Sequence, residues 1–413
     1  MYPLRQLYRQ SACLRIATFT RHLIGARMCS SSNHMWLFCG SDLWERPQST
    51  LDPRADYKAF WENQTEALLE TKNNAGIITM NRPKALNALN LPMIRKIYPQ
   101  LKQWDMDPNI GVILIKGTGD KAFCAGGDVR AIAEAGLRGE DLTKDFFREE
   151  YMLNYAIGTL KTPYVALIHG ITMGGGVGLS VHGRYRVATE KTTFAMPETA
   201  IGFFPDVGGA HALPRLSGKL GLFLALTGQR LKGYNVKLAG IATHYVTLEK
   251  ISALEEALLN LKDPQHQIVQ DVLNDFDKQC SPNQRFVLDE HMDSINRCFS
   301  QSSVEEIISA LEEEGSPWAA KQIENLNRMS PTSLKVTLQQ LEEGSRLDLG
   351  ECLKMEYRMS QTFMENKDFY EGIRAVLVDK DNSPKWNPSS LKEVSKESVE
   401  SYFKPIGERE LVL

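Results

Sequence analysis

The feature that most constrains this chain is a pair of uninterrupted apolar runs, Val112-Ile113-Leu114-Ile115 and Tyr164-Val165-Ala166-Leu167-Ile168, each followed by glycine-bearing turns. A strand with no polar alternation has to be covered on both faces, which demands a parallel sheet with helices packed against it. Gly76-Ile77-Ile78-Thr79-Met80 reads as a further strand, ended by Asn81-Arg82-Pro83. Ile94, Ile97, Leu101 and Trp104 then recur at helical spacing, with Asn90 placed as the N-cap and Pro92 in the first turn. Asp107-Pro108 stops that helix. Residues 145–161 predict another helix, and 186–188 and 193–196 predict short strands. Alternation of this kind predicts an α/β fold.

The character changes near residue 260: strands vanish and helical patterns such as those over 304–311 and 331–341 take over. The predicted organisation is an α/β core over 64–260 and a helical C-terminal region over 261–413. Residues 42–63 form a linker to which no role is assigned. Residues 1–41 stand apart. They carry Arg5, Arg9, Arg15, Arg21 and Arg27, six serine or threonine hydroxyls before residue 33, and no acid. That is the composition of a mitochondrial transit peptide, and a disordered basic arm is the blander reading. The net charge of −3 thus divides into +5 on this segment and −8 on the rest. An acidic body argues against a nucleic-acid binder, and no stretch approaches the roughly 20 apolar residues of a membrane span.

Much familiar machinery is missing. The chain has no G-x-G-x-x-G, no G-x-x-x-x-G-K-[ST], no H-E-x-x-H and no G-x-S-x-G. Its 7 cysteines form no C-x-x-C pair, so no metal site is expected and a reducing compartment fits. Ser180 and His182, two apart on a helix, point away from each other. Cys124, in an apolar setting, reads as a small packed residue rather than a nucleophile.

Two glycine-dense turns and three acids remain. Gly126-Gly127 and Gly174-Gly175-Gly176 would each let backbone approach a ligand, and two N–H groups converging on one point would make an oxyanion hole. Tight strand–helix connection explains the same glycines equally well. Glu198, in Ala195-Met196-Pro197-Glu198, and Asp206, in Phe203-Phe204-Pro205-Asp206-Val207-Gly208-Gly209, sit among apolar neighbours, a setting that raises a carboxyl pKa and suits acid–base work. Capping or ion pairing is the commoner fate of any single acid. Glu150 falls on the stripe Phe146, Glu150, Leu153, Ile157, Leu160 and so faces the packed side, with Glu149 nearer the edge.

In combination these segments resemble the crotonase (enoyl-CoA hydratase/isomerase) superfamily. The residues that carry the resemblance run from Gly76-Ile77-Ile78-Thr79-Met80-Asn81-Arg82-Pro83-Lys84-Ala85-Leu86-Asn87-Ala88-Leu89 through Phe123-Cys124-Ala125-Gly126-Gly127-Asp128 and His169-Gly170-Ile171-Thr172-Met173-Gly174-Gly175-Gly176-Val177-Gly178 to Pro197-Glu198. The resemblance implies a spiral of ββα turns followed by helices, and an acyl-CoA ligand whose thioester oxygen lies between the N–H groups of Gly127 and Gly175. Hydratases of the family carry two glutamates; one matches Glu198, but the other position is Gly178. This departure, with Phe147-Arg148-Glu149-Glu150-Tyr151 and the late Glu371-Gly372-Ile373-Arg374-Ala375-Val376-Leu377-Val378-Asp379-Lys380-Asp381, is similar to the family's hydrolase branch, which cleaves short 3-hydroxyacyl-CoA thioesters such as 3-hydroxyisobutyryl-CoA.

That branch implies Glu150, Gly175, Glu198 and Asp206 as substrate contacts, with Glu198 and Asp206 catalytic. Glu198 would be a general base or a nucleophile, and both remain open. Arg82 and Lys84 are candidates for the CoA phosphates. The resemblance further implies no cofactor beyond the CoA of the substrate and a place in valine breakdown in the mitochondrial matrix; it leaves the oligomeric state open, with related enzymes often trimeric or hexameric and the longer C-terminal region able to change that packing. The rival expectations are an enoyl-CoA hydratase or isomerase, against which Gly178 counts, and a non-catalytic ribosome-associated relative, against which the −8 body counts.

Overall fold

In the computed structural model, residues 65–413 are described; the expectations placed on residues 1–41 and 42–63 fall outside them. Among the described residues, ten strands form two sheets. The larger runs in the order β1 (Ala67–Lys72), β2 (Ala75–Met80), β3 (Val112–Gly117), β5 (Tyr164–Ile168), β7 (Tyr185–Ala188) and β10 (His244–Tyr245). The smaller runs β4 (Ala122–Cys124), β6 (Ile171–Met173), β8 (Thr193–Ala195), β9 (Leu231–Lys232). All neighbours are parallel except β1–β2 and β8–β9.

From β3 to β8 the chain visits the two sheets alternately. A long strand in the large sheet is followed by a short one in the small sheet, then by helix: β3, β4, then α2 (Val129–Leu137) and α3 (Leu142–Gly158); β5, β6, then α4 (Gly175–Val181). Each pass advances one strand, which generates the spiral of ββα turns. The predicted buried strands are buried throughout: Val112, Ile113, Leu114 and Ile115 are inaccessible to solvent. α1 (Leu91–Met106) starts at Asn90, whose side chain accepts the Met93 N–H, with Pro92 in the first turn where its missing N–H costs nothing.

Beyond Tyr245 every element is helical. These helices share one apolar core with the spiral: Tyr357, Phe363 and Phe369 pack in the same cluster as Phe147, Val177 and Phe204. No helix among the described residues is long and apolar enough to cross a membrane.

Candidate active site

The spiral brings the second sheet's strand ends together, and the two glycine turns lie where β4 and β6 finish side by side. Gly126 takes φ 118° and Gly174 φ 45°, conformations closed to most residues bearing a Cβ. The consequence is close approach. A Cβ on Gly175 would lie 3.2 Å from the Gly127 nitrogen, and one on Gly174 would lie 3.4 Å from the Gly126 Cα. Gly175 opens α4, so its N–H has no intrahelical acceptor. Among the described residues neither it nor the Gly127 N–H has a hydrogen-bond acceptor. Two backbone donors without a protein acceptor therefore lie close together at the ends of β4 and β6.

Two of the three acids come to the same point. Glu150 Oε1 is 2.6 Å from the Cβ position of Gly175, and Glu198 Oε1 is 3.1 Å from that of Gly174. Asp206 follows on the next loop and accepts a hydrogen bond from the Tyr151 hydroxyl at 3.0 Å. All three acids are buried, at 2%, 6% and 6% exposure for Glu150, Glu198 and Asp206. Glu150 Oε1 and Glu198 Oε2 have no hydrogen-bond partner. Burial raises the Glu150 carboxyl well above the usual range, and the charges of Asp206 and Glu198 push it further. Burial, then Asp206, does the same to Glu198. Asp206 is pushed up to about 7 by burial, against the lowering effect of the Tyr151 hydrogen bond. The site thus gathers carboxyls raised by burial and mutual repulsion, two of them, Glu150 and Glu198, against the glycine turns, a setting suited to acid–base work.

The other predicted residues take different positions. Glu149 turns away and pairs with Arg95 at 2.6 Å. Arg82 bonds Asp128 at 2.9 Å, Glu66 at 3.1 Å and the Ala88 carbonyl, tying down the loop before α1. Lys84 is exposed on that loop. Cys124 is fully buried, with its thiol pushed up to about 12 by burial, so it packs rather than reacts. Ser180 donates to the Gly176 carbonyl, and His182 Nε2 lies 2.6 Å from the Val207 carbonyl, so they make no dyad. In the late motif, Arg374 pairs with Glu371, Asp379 and Asp381.

Gly178 acquires a physical meaning. A Cβ there would sit 2.7 Å from Val207 Cβ and 2.8 Å from Asn154 Nδ2. The position lacks a carboxylate and also lacks room for one.

Several residues of the site carry no local signal. Phe147 stacks on Phe203 at 5.4 Å, and Phe203 in turn meets Phe363 and Phe369 from the C-terminal helices. Tyr151 belongs here too; its place one residue after Glu150 is the only hint. Glu356, from the Leu349–Glu365 helix, accepts the N–H groups of Gly208 and Ala210.

Residues 75–403 match the enoyl-CoA hydratase/isomerase family model. The chain is 60% identical over 354 residues to a chicken protein named "3-hydroxyisobutyryl-CoA hydrolase, mitochondrial", covering 85% of this chain and 92% of that one. The human protein of the same name is 60% identical over 348 residues, covering 84% of this chain and 90% of its own. Among solved structures, a carnitinyl-CoA dehydratase from Mycobacterium thermoresistibile superposes with a TM-score of 0.78 at 37% identity, covering 84% of this chain and 99% of that one. An enoyl-CoA hydratase from Rhodobacter sphaeroides gives 0.76 at 37% identity, with coverage of 84% and 100%. With two thirds of its length and more matched in each comparison, and with the paired glycine turns and buried acids in place, this chain belongs to the enoyl-CoA hydratase/isomerase family.

Proposed function

We propose that this protein hydrolyses 3-hydroxyisobutyryl-CoA, and its unbranched analogue 3-hydroxypropanoyl-CoA, to free CoA and the 3-hydroxy acid. The observation that carries the reading is the combination of Glu198 beside the converging Gly127 and Gly175 nitrogens with a Gly178 that has no room for a second carboxylate. Adding water across a double bond calls for paired carboxylates around the reacting carbons; cleaving a thioester calls for one base and an oxyanion hole. Chicken and human relatives bearing the hydrolase name support the same reading.

In the proposed reaction the thioester oxygen accepts hydrogen bonds from Gly127 and Gly175. Glu198, ionised, takes a proton from water as the water oxygen attacks the carbonyl carbon. The tetrahedral oxyanion collapses, the C–S bond breaks, and the proton passes to the departing thiolate. One oxyanion donor is worth about 2.7–4 kcal/mol of the barrier. Asp206 and Glu150 hold the substrate hydroxyl and the attacking water. In the alternative course Glu198 attacks first and a mixed anhydride is hydrolysed. Single turnover in ¹⁸O-water distinguishes them: label in the Glu198 carboxyl requires the anhydride. Lys84, with Arg82 behind it, is the candidate contact for CoA phosphate. The relatives' mitochondrial names and the Arg-bearing residues 1–41 support a mitochondrial activity, which we read as a step of valine breakdown in the matrix.

Thiol release tests the reading. Release of CoA from 3-hydroxyisobutyryl-CoA is expected; loss of enoyl-CoA absorbance without thiol release would instead make the protein a hydratase.

A further inference from the structure

Four buried polar atoms without partners belong to only three side chains of the site: Glu150 Oε1, Glu198 Oε2, and both the Oδ1 and Nδ2 of Asn154. The two acids are accounted for by the reaction. Asn154 is not. Its side chain is inaccessible to solvent. A carboxamide offers two donors and two acceptor sites, and leaving such a group buried and unbonded costs stability. Single unbonded oxygens occur elsewhere in the core, at Ser333, Thr337 and Gln340, but Asn154 leaves both ends of its carboxamide unbonded, whereas buried Asn87 donates to the Thr118 and Ala122 carbonyls.

The placement of Asn154 is specific. It stands four residues after Glu150 on α3, so the two side chains share a face. Across from them runs α4. Glu150 Oε1 lies against the Cβ position of Gly175, and Asn154 Nδ2 lies 2.8 Å from the Cβ position of Gly178. Positions three apart on a helix are neighbours, with Cβ atoms about 5–6 Å apart. A single oxygen making two hydrogen bonds of about 2.8 Å spans such an interval. The same Gly178 position touches Val207, the residue after Asp206. Asn154, on the acid-bearing helix, therefore lies against the helix that Gly175 opens, at a position that also meets the Asp206 turn through Val207.

We propose that Asn154 is a specificity-determining residue that reads the hydroxyl at carbon 3 of the acyl group. The hydroxyl donates to Glu150 Oε1 and accepts from Asn154 Nδ2. A hydroxyl has one proton to give and lone pairs to receive, and this pair supplies one acceptor and one donor. A substrate lacking the hydroxyl leaves both groups desolvated and unbonded, the mechanism by which polar sites reject deoxy analogues. This inference rests on the hydrolase reading above and deepens it.

The test compares kcat/KM for 3-hydroxyisobutyryl-CoA and for isobutyryl-CoA in the wild type, Asn154→Leu and Asn154→Ala. The hydroxy-to-deoxy ratio is expected to fall roughly 10–100-fold in both variants, the loss of one hydrogen bond to a buried partner. Because Asn154 has no protein partner, Asn154→Leu is also expected to keep or raise the melting temperature. A merely structural residue would lower both kcat/KM values together and leave the ratio unchanged, and that result overturns the proposal. Wild-type protein that releases no CoA from the hydroxy substrate overturns the hydrolase reading itself, and this proposal with it.

Discussion

Glu356 accepts the backbone N–H of Gly208 at 2.6 Å, although 148 residues separate them along the chain. Its second oxygen accepts from Ala210 at 2.8 Å and from the Gln340 side chain at 3.2 Å. Gln340 also donates to the Pro205 carbonyl at 2.7 Å. The turn so gripped carries Asp206 and then Val207, a β-branched residue at φ 52°. Such a residue in the left-handed region is strained and persists only where its surroundings over-determine it. The C-terminal helices thereby fix the position of an acid that belongs to the spiral.

Removing that grip should loosen the site. Glu356→Ala leaves two backbone donors buried and unbonded, a cost of about 2–5 kcal/mol, readable as a lower urea midpoint. Glu356→Gln keeps one acceptor and should fold with a smaller loss. In Glu356→Gln, kcat should drop about 10–100-fold through displacement of Asp206. A variant with wild-type kcat would separate the brace from catalysis.

The pH profile of the reaction should carry the mutual repulsion of the acids. The charge of Asp206 helps hold Glu198 above its usual range. Asp206→Asn removes that charge, so the remaining acidic limb of kcat/KM should move to lower pH even as the plateau falls about 10²–10⁴-fold. A limb that stays in place or moves up would show that Glu198 is not the group titrating.

Stability should show the converse effect. A carboxyl whose folded pKa exceeds its unfolded value of about 4.3 binds its proton more tightly in the native state. Its ionisation therefore destabilises the fold progressively as pH rises from that unfolded value through the folded one. Glu150 is such a group. Glu150→Gln should melt higher than the wild type at pH 8 and by a smaller margin at pH 5, while losing activity. Equal margins at the two pH values would contradict the raised carboxyl.

Gly178→Glu should not create a hydratase. The added Cβ meets Val207 Cβ at 2.7 Å and Asn154 Nδ2 at 2.8 Å, and overpacking of this kind costs about 1–3 kcal/mol. Lower thermal stability with no hydration of enoyl-CoA is expected. A stable variant that hydrates enoyl-CoA would mean the pocket is roomier than this geometry.

The parts legible from residue order are those written locally. The Val112 and Tyr164 strands announce their burial, Asn90 its cap, and the α3 stripe the inward face of Glu150. β1 (Ala67–Lys72) was not legible, because as an edge strand it buries only Ala67 and lacks the apolar run of its neighbours. Glu356 and Asn154 were illegible for a different reason. Each is a polar residue on a helix whose significance depends on what packs opposite, and that is set by contacts made across the fold. The left-handed Val207 contradicts its own propensity, so only the completed brace around it explains the conformation.

The central claim is that Glu198, with the Gly127 and Gly175 nitrogens, cleaves a 3-hydroxyacyl thioester. Its most direct test is thiol release from 3-hydroxyisobutyryl-CoA by the wild type and by Glu198→Gln under matched conditions. The account predicts release by the wild type and a loss of about 10²–10⁴-fold in kcat for the variant, with the fold retained. Near-normal turnover by Glu198→Gln would contradict it.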